Sequence, residues 1–148
     1  MKNSRSMRQF KQVYFAHTGA LAKEAMRAKA QVGIYPLRLP IGYRRIIGEF
    51  GERIVLDAQK APLVKLAFTL AAKKRSSLSQ ILSALRERGL TGHSGEPISR
   101  SALHRMLRNP FYKGNLPYKG ISSTGSQPRL ISQHLFDGAA RAIVDRCK

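Results

Sequence analysis

Residues 77–112 read SLSQILSALRERGLTGHSGEPISRSALHRMLRNPFY. Ser77 followed three residues later by Gln80 has the form of a capping box, in which each side chain bonds the other's backbone N–H and opens a helix. Leu78, Ile81, Leu82 and Leu85 then fall on one face of that helix. Gly89-Leu90 supplies a left-handed stop and an apolar residue to cover it. A loop from Thr91 to Pro97 follows. Ser99 is placed to cap a second helix, with Ile98 before it stapling Leu103, and Ala102, Leu103, Met106 and Leu107 facing inward. Asn109-Pro110 ends this helix, because a residue before proline is barred from the helical region.

Once that apolar stripe is turned inward, Arg100, Ser101, His104, Arg105 and Arg108 remain outward at spacings of one, three and four, forming one polar ridge. A guanidinium bonds bidentately to guanine O6 and N7, Ser and His reach base edges or phosphates, and a helix fits the major groove. The ridge is what a recognition helix presents, with the Ser77 helix as its support. The connection between the two helices is longer than the tight turn of an ordinary helix-turn-helix, so a winged or expanded variant is expected. Tyr112 to Tyr118 and Arg129 to Ile131 are expected to pair as its strands, carrying Tyr112, Lys113, Tyr118 and Lys119, with the lysines on phosphates. The competing reading is that these arginines only solvate an exposed face. The absence of any Asp or Glu from Pro97 to Phe136 weighs against it.

Outward from this centre, Gly42 to Asp57 is rich in β-formers with Gly48 and Gly51 available for a turn, and predicts a hairpin. Asp57 stands as an N-cap for an almost wholly apolar helix through Lys74, although Pro62 fits only in or near a first turn and allows a later start. Ser132 is expected to cap a last helix with Phe136, Ala139, Ala140 and Ile143 on one face. Towards the N-terminus, Leu21, Ala25, Ala28 and Val32 recur at helical spacing in a basic helix that Gly33 would end. Tyr35 to Pro40, with two prolines, must be extended as a linker or crossing segment. The expected fold is mainly α with a small β component: a winged or expanded helix-turn-helix domain over 40–148, preceded by a basic arm, helix and linker over 1–39.

Charge restricts the function. Of 148 residues, 27 are Lys or Arg and 8 are Asp or Glu, a formal charge of +19. From Met1 to Gly48 ten basic residues face a single acid, Glu24. Such a field is self-repelling unless a polyanion neutralises it. No apolar run approaches the roughly 20 residues of a bilayer span, so no membrane partner is expected. Cys147 alone makes neither a disulfide nor a thiolate zinc site, and His17, His93, His104 and His134 are too scattered for a metal cluster. No paired carboxylates, nucleophile elbow or phosphate-binding glycine loop appears, so neither catalytic residues nor cofactor are expected. Tyr14, Phe15, Phe50, Phe68, Phe111 and Phe136 are read as core. Tyr43 and Tyr112, each beside basic residues, are read as able to lie along a DNA backbone.

The run Pro40-Ile-Gly-Tyr-Arg-Arg45, then Ile54-Val-Leu-Asp57, Ala61, Phe68, Ile81, Leu85, Gly89 and Ser99, and above all Leu107-Arg-Asn-Pro-Phe-Tyr-Lys-Gly114, resembles the recombinase domain of large serine recombinases. These are site-specific integrases and transposon recombinases. The resemblance implies binding to attachment-site duplex DNA and adds Arg44 and Arg45 to the ridge residues, Lys113 and Lys119 as candidate DNA contacts. It also implies a cytoplasmic, nucleoid-associated protein and a full-length recombinase as a possible partner. In that family the nucleophilic serine lies in a preceding domain, for which Met1 to Phe15 is too short, and a zinc ribbon follows, for which one cysteine does not suffice. The expectation is a DNA-binding module without catalysis of its own, cut from a longer recombinase or encoded by a split or degraded gene. On composition alone, a basic RNA-binding or ribosome-associated protein is the alternative.

Overall fold

The structure is a computed structural model and describes residues 3–31, 35–118, 121–125 and 127–146. Its first element, α1 (Asn3–Gln31), is a helix of 29 residues, about 44 Å long at 1.5 Å per residue. The expected inward stripe does not form. Leu21, Ala25 and Ala28 are exposed, and Ala30 is the first buried residue among the side chains of the helix that the structure describes. Among the described side chains of the helix, it is Ala30 near its end that enters the core, while the element also packs on the later strand pair 115–118 and 121–124. Val32 and the expected stop at Gly33 lie outside the described residues.

The extended segment after it is less of a linker than its prolines suggest, because Tyr35 and Leu39 are both buried in the main core. The hairpin forms as expected, with β1 (Tyr43–Gly48) antiparallel to β2 (Gly51–Leu56) and Tyr43 opposite Leu56. Only its base is buried, through Tyr43 and Ile54. Phe50 at its tip is 88% exposed, and Tyr14 and Phe15 on α1 are exposed too, so these three aromatics are not core. Apolar character alone could not tell the tip from the base, since only the base has a neighbour to pack on.

Asp57 does not cap a helix at its own position. Its carboxylate accepts the N–H groups of Gln59 and Lys60 at 2.9 and 3.1 Å in a local turn. Helix α2 (Ala61–Ala72) starts after that turn, with Pro62 in its first turn where no N–H is needed. Ala61, Val64, Ala67, Phe68 and Ala71 are buried, and the helix packs mainly on the C-terminal α5 (Gln133–Arg146) and also on α3 (Leu78–Glu87). Ser132 Oγ accepts the Leu135 N–H at 3.2 Å, the expected cap of α5.

The ends of α3 are made by local chemistry. Ser77 Oγ accepts the Gln80 N–H at 3.2 Å, and Gln80 Oε1 accepts the Ser77 N–H at 2.8 Å. Gly89, at φ +80°, turns the chain so that its own N–H bonds the Arg86 carbonyl and the Leu90 N–H bonds the Leu85 carbonyl, both at 3.0 Å. Leu78, Ile81, Leu82 and Leu85 are buried, each contributing about 1.5–3 kcal/mol by leaving water.

After α4 (Arg100–Met106) comes a short 3₁₀ turn, Pro110–Lys113, capped by Asn109 Oδ1 on the Phe111 N–H at 3.0 Å. The expected pairing of Tyr112–Tyr118 with Arg129–Ile131 is not what forms. Strand β3 (Asn115–Tyr118) pairs antiparallel with β4 (Ile121–Thr124), the nearer partner and the one that closes the smaller loop. Leu130 and Ile131 instead bond the Tyr112 carbonyl through their N–H groups, at 3.0 and 3.2 Å. Tyr112 and Tyr43 are likewise core rather than DNA-facing. Tyr112 is 1% exposed and donates to the Ile41 carbonyl, while Tyr43 donates to the Pro128 carbonyl, each at 2.8 Å. With Tyr35, Phe68, Phe111 and Phe136 they form a chain of ring contacts with centroids 4.8–6.2 Å apart. Burial raises both phenol pKa values, that of Tyr43 to about 12.

Candidate nucleic-acid interface

Helix α4 begins where Ser99 Oγ accepts the Ala102 N–H at 3.1 Å. Ile98 and Leu103, the staple pair, are both buried. The approach from α3 is held closed along its length. Thr91 and Pro97 form a β-bridge, and the Gly92 N–H bonds the Glu96 carbonyl at 2.8 Å. Arg86, from the last turn of α3, donates Nε and Nη2 to the Ile98 carbonyl at 3.1 and 2.9 Å. That fork ties the end of one helix to the residue before the cap of the next, a role for Arg86 that residue spacing did not signal.

With Leu103, Met106 and Leu107 buried, α4 presents Arg100, Ser101 and Arg105 exposed with His104 half-buried beside them, and Arg108 is exposed in the turn that follows. The ridge is therefore brought together as the spacing predicts. Among the described residues, no carboxylate pairs with any of its three guanidinium groups. Arginine without a counter-ion on a rigid helix is a ready donor for phosphate or base edges.

The other candidates are not equivalent to these. Lys113 lies in the 3₁₀ turn, with Nζ 4.9 Å from the centroid of the Phe136 ring. Lys119 lies outside the described residues. Arg44 and Arg45, successive on β1, point to opposite faces of the hairpin. Arg45 is tied down, with Nη2 donating to the Tyr35 and Leu37 carbonyls at 2.9 and 3.2 Å and Nε 2.7 Å from Glu52 Oε1. Arg44 is exposed, and its charge helps hold the Asp57 carboxyl below its ordinary pKa, after the dominant N–H bond from Lys60. Arg44 shares a groove of about 450 Å³ with Arg38 and His93, neither of which is among the DNA contacts expected from the sequence. Pro36 and Pro40 flanking Arg38 signalled the extended wall, but nothing local signalled that His93 would meet it.

Residues 58–146 match the sequence model of the Recombinase family, which is more than half of the chain. The chain belongs to the Recombinase family. The matched span takes in α2 to α5, and so the whole of this recombinase ridge, while α1 and Arg44 and Arg45 lie before it. Two solved structures share the recombinase fold. One is a crystal structure of an LSR–DNA complex, at TM-score 0.66 and 15% identity, covering 84% of this chain and 38% of that one. The other comes from work on the sequence requirements of the Listeria innocua prophage attP site, at TM-score 0.56 and 17% identity, covering 70% of this chain and 41% of that one. The recombinase chain thus spans about two fifths of the length of those solved chains. No curated protein matches it in sequence. The family match bears out the resemblance to the recombinase domain of large serine recombinases.

Proposed function

We propose that this chain is a sequence-specific duplex-DNA-binding module of a site-specific recombinase. Residues 40–148 form the DNA-binding domain, in a winged or expanded helix-turn-helix arrangement, and residues 1–39 form a basic arm. Helix α3 supports α4, and α4 enters the major groove of an attachment-site-like half-site. Arg100, Ser101, His104 and Arg105, nearer its capped start, reach base edges. Arg108, Arg44, Lys113 and Lys119 serve the backbone, whereas Arg45, clamped on the Tyr35 and Leu37 carbonyls and paired with Glu52, builds the base of the hairpin. The LSR–DNA complex among its structural neighbours supports this reading, and so does the +19 charge. The observation that carries it is the exposed arginine face of α4, without an ion-pair partner among the described residues and set opposite a buried face. The module acts where chromosomal DNA lies and leaves the phosphodiester backbone intact by itself, whether it works alone or beside a full-length recombinase. A phosphoserine-linked DNA adduct formed by the purified chain would overturn that last point.

The test is binding measured by competition between duplex DNA and structured RNA. Duplex is expected to win, and affinity to fall roughly a thousandfold between 50 and 200 mM salt if about six phosphates are neutralised. Replacing Arg105 by Ala should cost about 1–3 kcal/mol on the preferred site and relax the preference at one base position. If Arg105→Ala weakens specific and random duplex equally, the helix is not reading bases. If structured RNA wins, the ligand class is wrong.

A further inference from the structure

The groove shared by Arg38, Arg44 and His93 is a second basic concavity, built by elements other than α4. Its wall is the extended run Pro36–Leu39, with the buried Tyr43 behind and His93 arriving from the loop after α3. Arg45 lines it as well but is spent on construction, since its fork clamps the Tyr35 and Leu37 carbonyls and its Nε meets Glu52. Arg38 and Arg44 are exposed and, among the described residues, have no ion-pair partner. Lys60 adds its charge, and with Arg38 it acts on His93. The acid facing this cluster is Asp57, which feels Lys60 and Arg44 and already accepts the Gln59 and Lys60 N–H groups. Four cations, Arg38, Arg44, Arg45 and Lys60, against two carboxylates, Asp57 and the Glu52 that pairs with Arg45, leave a positive hollow, stabilised by an anion of matching shape. Paired guanidinium groups match the oxygens of phosphate.

We propose that this groove seats a backbone phosphate of the bound duplex, with Arg38 and Arg44 on its oxygens and His93 as a third, proton-linked donor. The inference rests on the DNA-binding reading above and deepens it, giving the module a phosphate anchor separate from the α4 ridge. In the free chain, partial burial, then the charges of Arg38 and Lys60, push His93 below the ordinary imidazole value, so the ring is neutral near pH 7. A phosphate among those cations reverses the electrostatic balance at the ring and raises its pKa. Binding then takes up a proton, so lower pH favours the complex. Affinity rises as pH falls through the raised pKa of His93 in the complex and levels off below its lowered pKa in the free chain.

The experiment uses the whole chain, the preferred duplex selected from a randomised pool and fluorescence anisotropy across pH and salt, with circular dichroism to show each variant folded. Arg38→Gln and Arg44→Gln should each weaken binding about three- to tenfold and lower the salt slope by about one. His93→Gln should lose the rise in affinity at low pH, whereas Arg105→Ala should keep it. If Arg38→Gln and Arg44→Gln bind as the parent does while Arg105→Ala weakens binding, the groove is no DNA contact and the module's function stands. If His93→Gln keeps the full pH dependence, the proton-linked donor is refuted. A parent chain that binds no duplex removes both this inference and the function beneath it. Inorganic pyrophosphate, followed through the His93 ring signals by NMR, tests the other source of phosphate. Saturable pyrophosphate binding there, with duplex affinity indifferent to Arg38 and Arg44, would assign the groove to a small free anion and overturn the proposal.

Discussion

Arginines do opposite work in two regions of this molecule. At the joint between α3 and α4, Arg86 closes a fork on the Ile98 carbonyl, and at the base of the first hairpin Arg45 clamps the Tyr35 and Leu37 carbonyls. On α4 and the turn after it, one cap away from that joint, Arg100, Arg105 and Arg108 are exposed and have no ion-pair partner among the described residues. The sequence writes all five with one letter and one charge. What divides them is whether a backbone carbonyl lies within reach. A count of basic residues therefore overstates the surface offered to a polyanion, and the difference predicts which substitutions damage folding and which damage binding.

The sharpest break between the two comes from the core beneath them. Phe111 is fully buried, with its ring centroid 4.8 Å from that of Tyr35 and 5.0 Å from that of Tyr43. Phe111→Ala should cost about 3–5 kcal/mol of stability, enough to unfold a marginal domain and lose binding with it. Chemical denaturation read by circular dichroism checks this. Ridge substitutions should leave the same denaturation curve in place, and a ridge arginine that shifted it strongly would erase the division.

Arg86→Ala comes next in size. It removes two charge-assisted bonds to one carbonyl, but at a half-exposed site where water takes over part of the acceptor, so about 1–2 kcal/mol of stability is expected. Duplex affinity measured well below the melting temperature should change much less than for Arg105→Ala. If instead Arg86→Ala impairs binding as severely while leaving the melting temperature alone, Arg86 belongs with the ridge.

These two jobs were not equally legible in the sequence. The box at Ser77 and Gln80, the stop at Gly89, and the caps at Ser99 and Ser132 all form with partners within five residues, so their chemistry is written locally. The ridge was legible for the same reason, since it needs only helical spacing and an inward stripe. Arg86, Arg45 and Tyr112 find their partners 12, 10 or 8, and 71 residues away, and no local pattern encodes that distance. The same limit explains why β3 pairs with β4 and not with Arg129–Ile131, a segment that instead returns to the Tyr112 carbonyl. It also explains the aromatics, since identical ring chemistry serves the exposed Phe50 and the buried Phe111.

Ser99→Ala sharpens the comparison at the boundary itself, because this residue starts the ridge helix without belonging to the ridge. Loss of the bond to the Ala102 N–H should cost about 1 kcal/mol of stability. The preferred base sequence should stay the same, as read by selection from a randomised duplex pool. An altered preference would mean that the cap sets the pose of Arg100 and Ser101, and that the two regions are less separable than their bonding indicates.

Lys113 gives the smallest effect and the most exact dividing line, because it has a claim to both roles. Its place at the end of the 3₁₀ turn, within the acid-free stretch, makes it a candidate phosphate anchor. Its ammonium nonetheless lies 4.9 Å from the Phe136 centroid, and that ring is itself buried in the aromatic core. A cation over an aromatic face at a half-buried site is worth about 0.5–1 kcal/mol, close to what one phosphate contact contributes at moderate salt. The two roles separate in the readout rather than in size. If Lys113 anchors a phosphate, Lys113→Ala lowers the salt slope by about one, weakens all sequences alike, and leaves the melting curve nearly in place. If it serves the core, the melting curve shifts by that fraction of a kcal/mol while the salt slope keeps the parent value. Lys113→Met completes the pair, since it keeps a long apolar stem against Phe136 and removes the charge. Should Lys113→Met restore stability and still bind with the lower slope, the stem belongs to the core and the charge to the DNA.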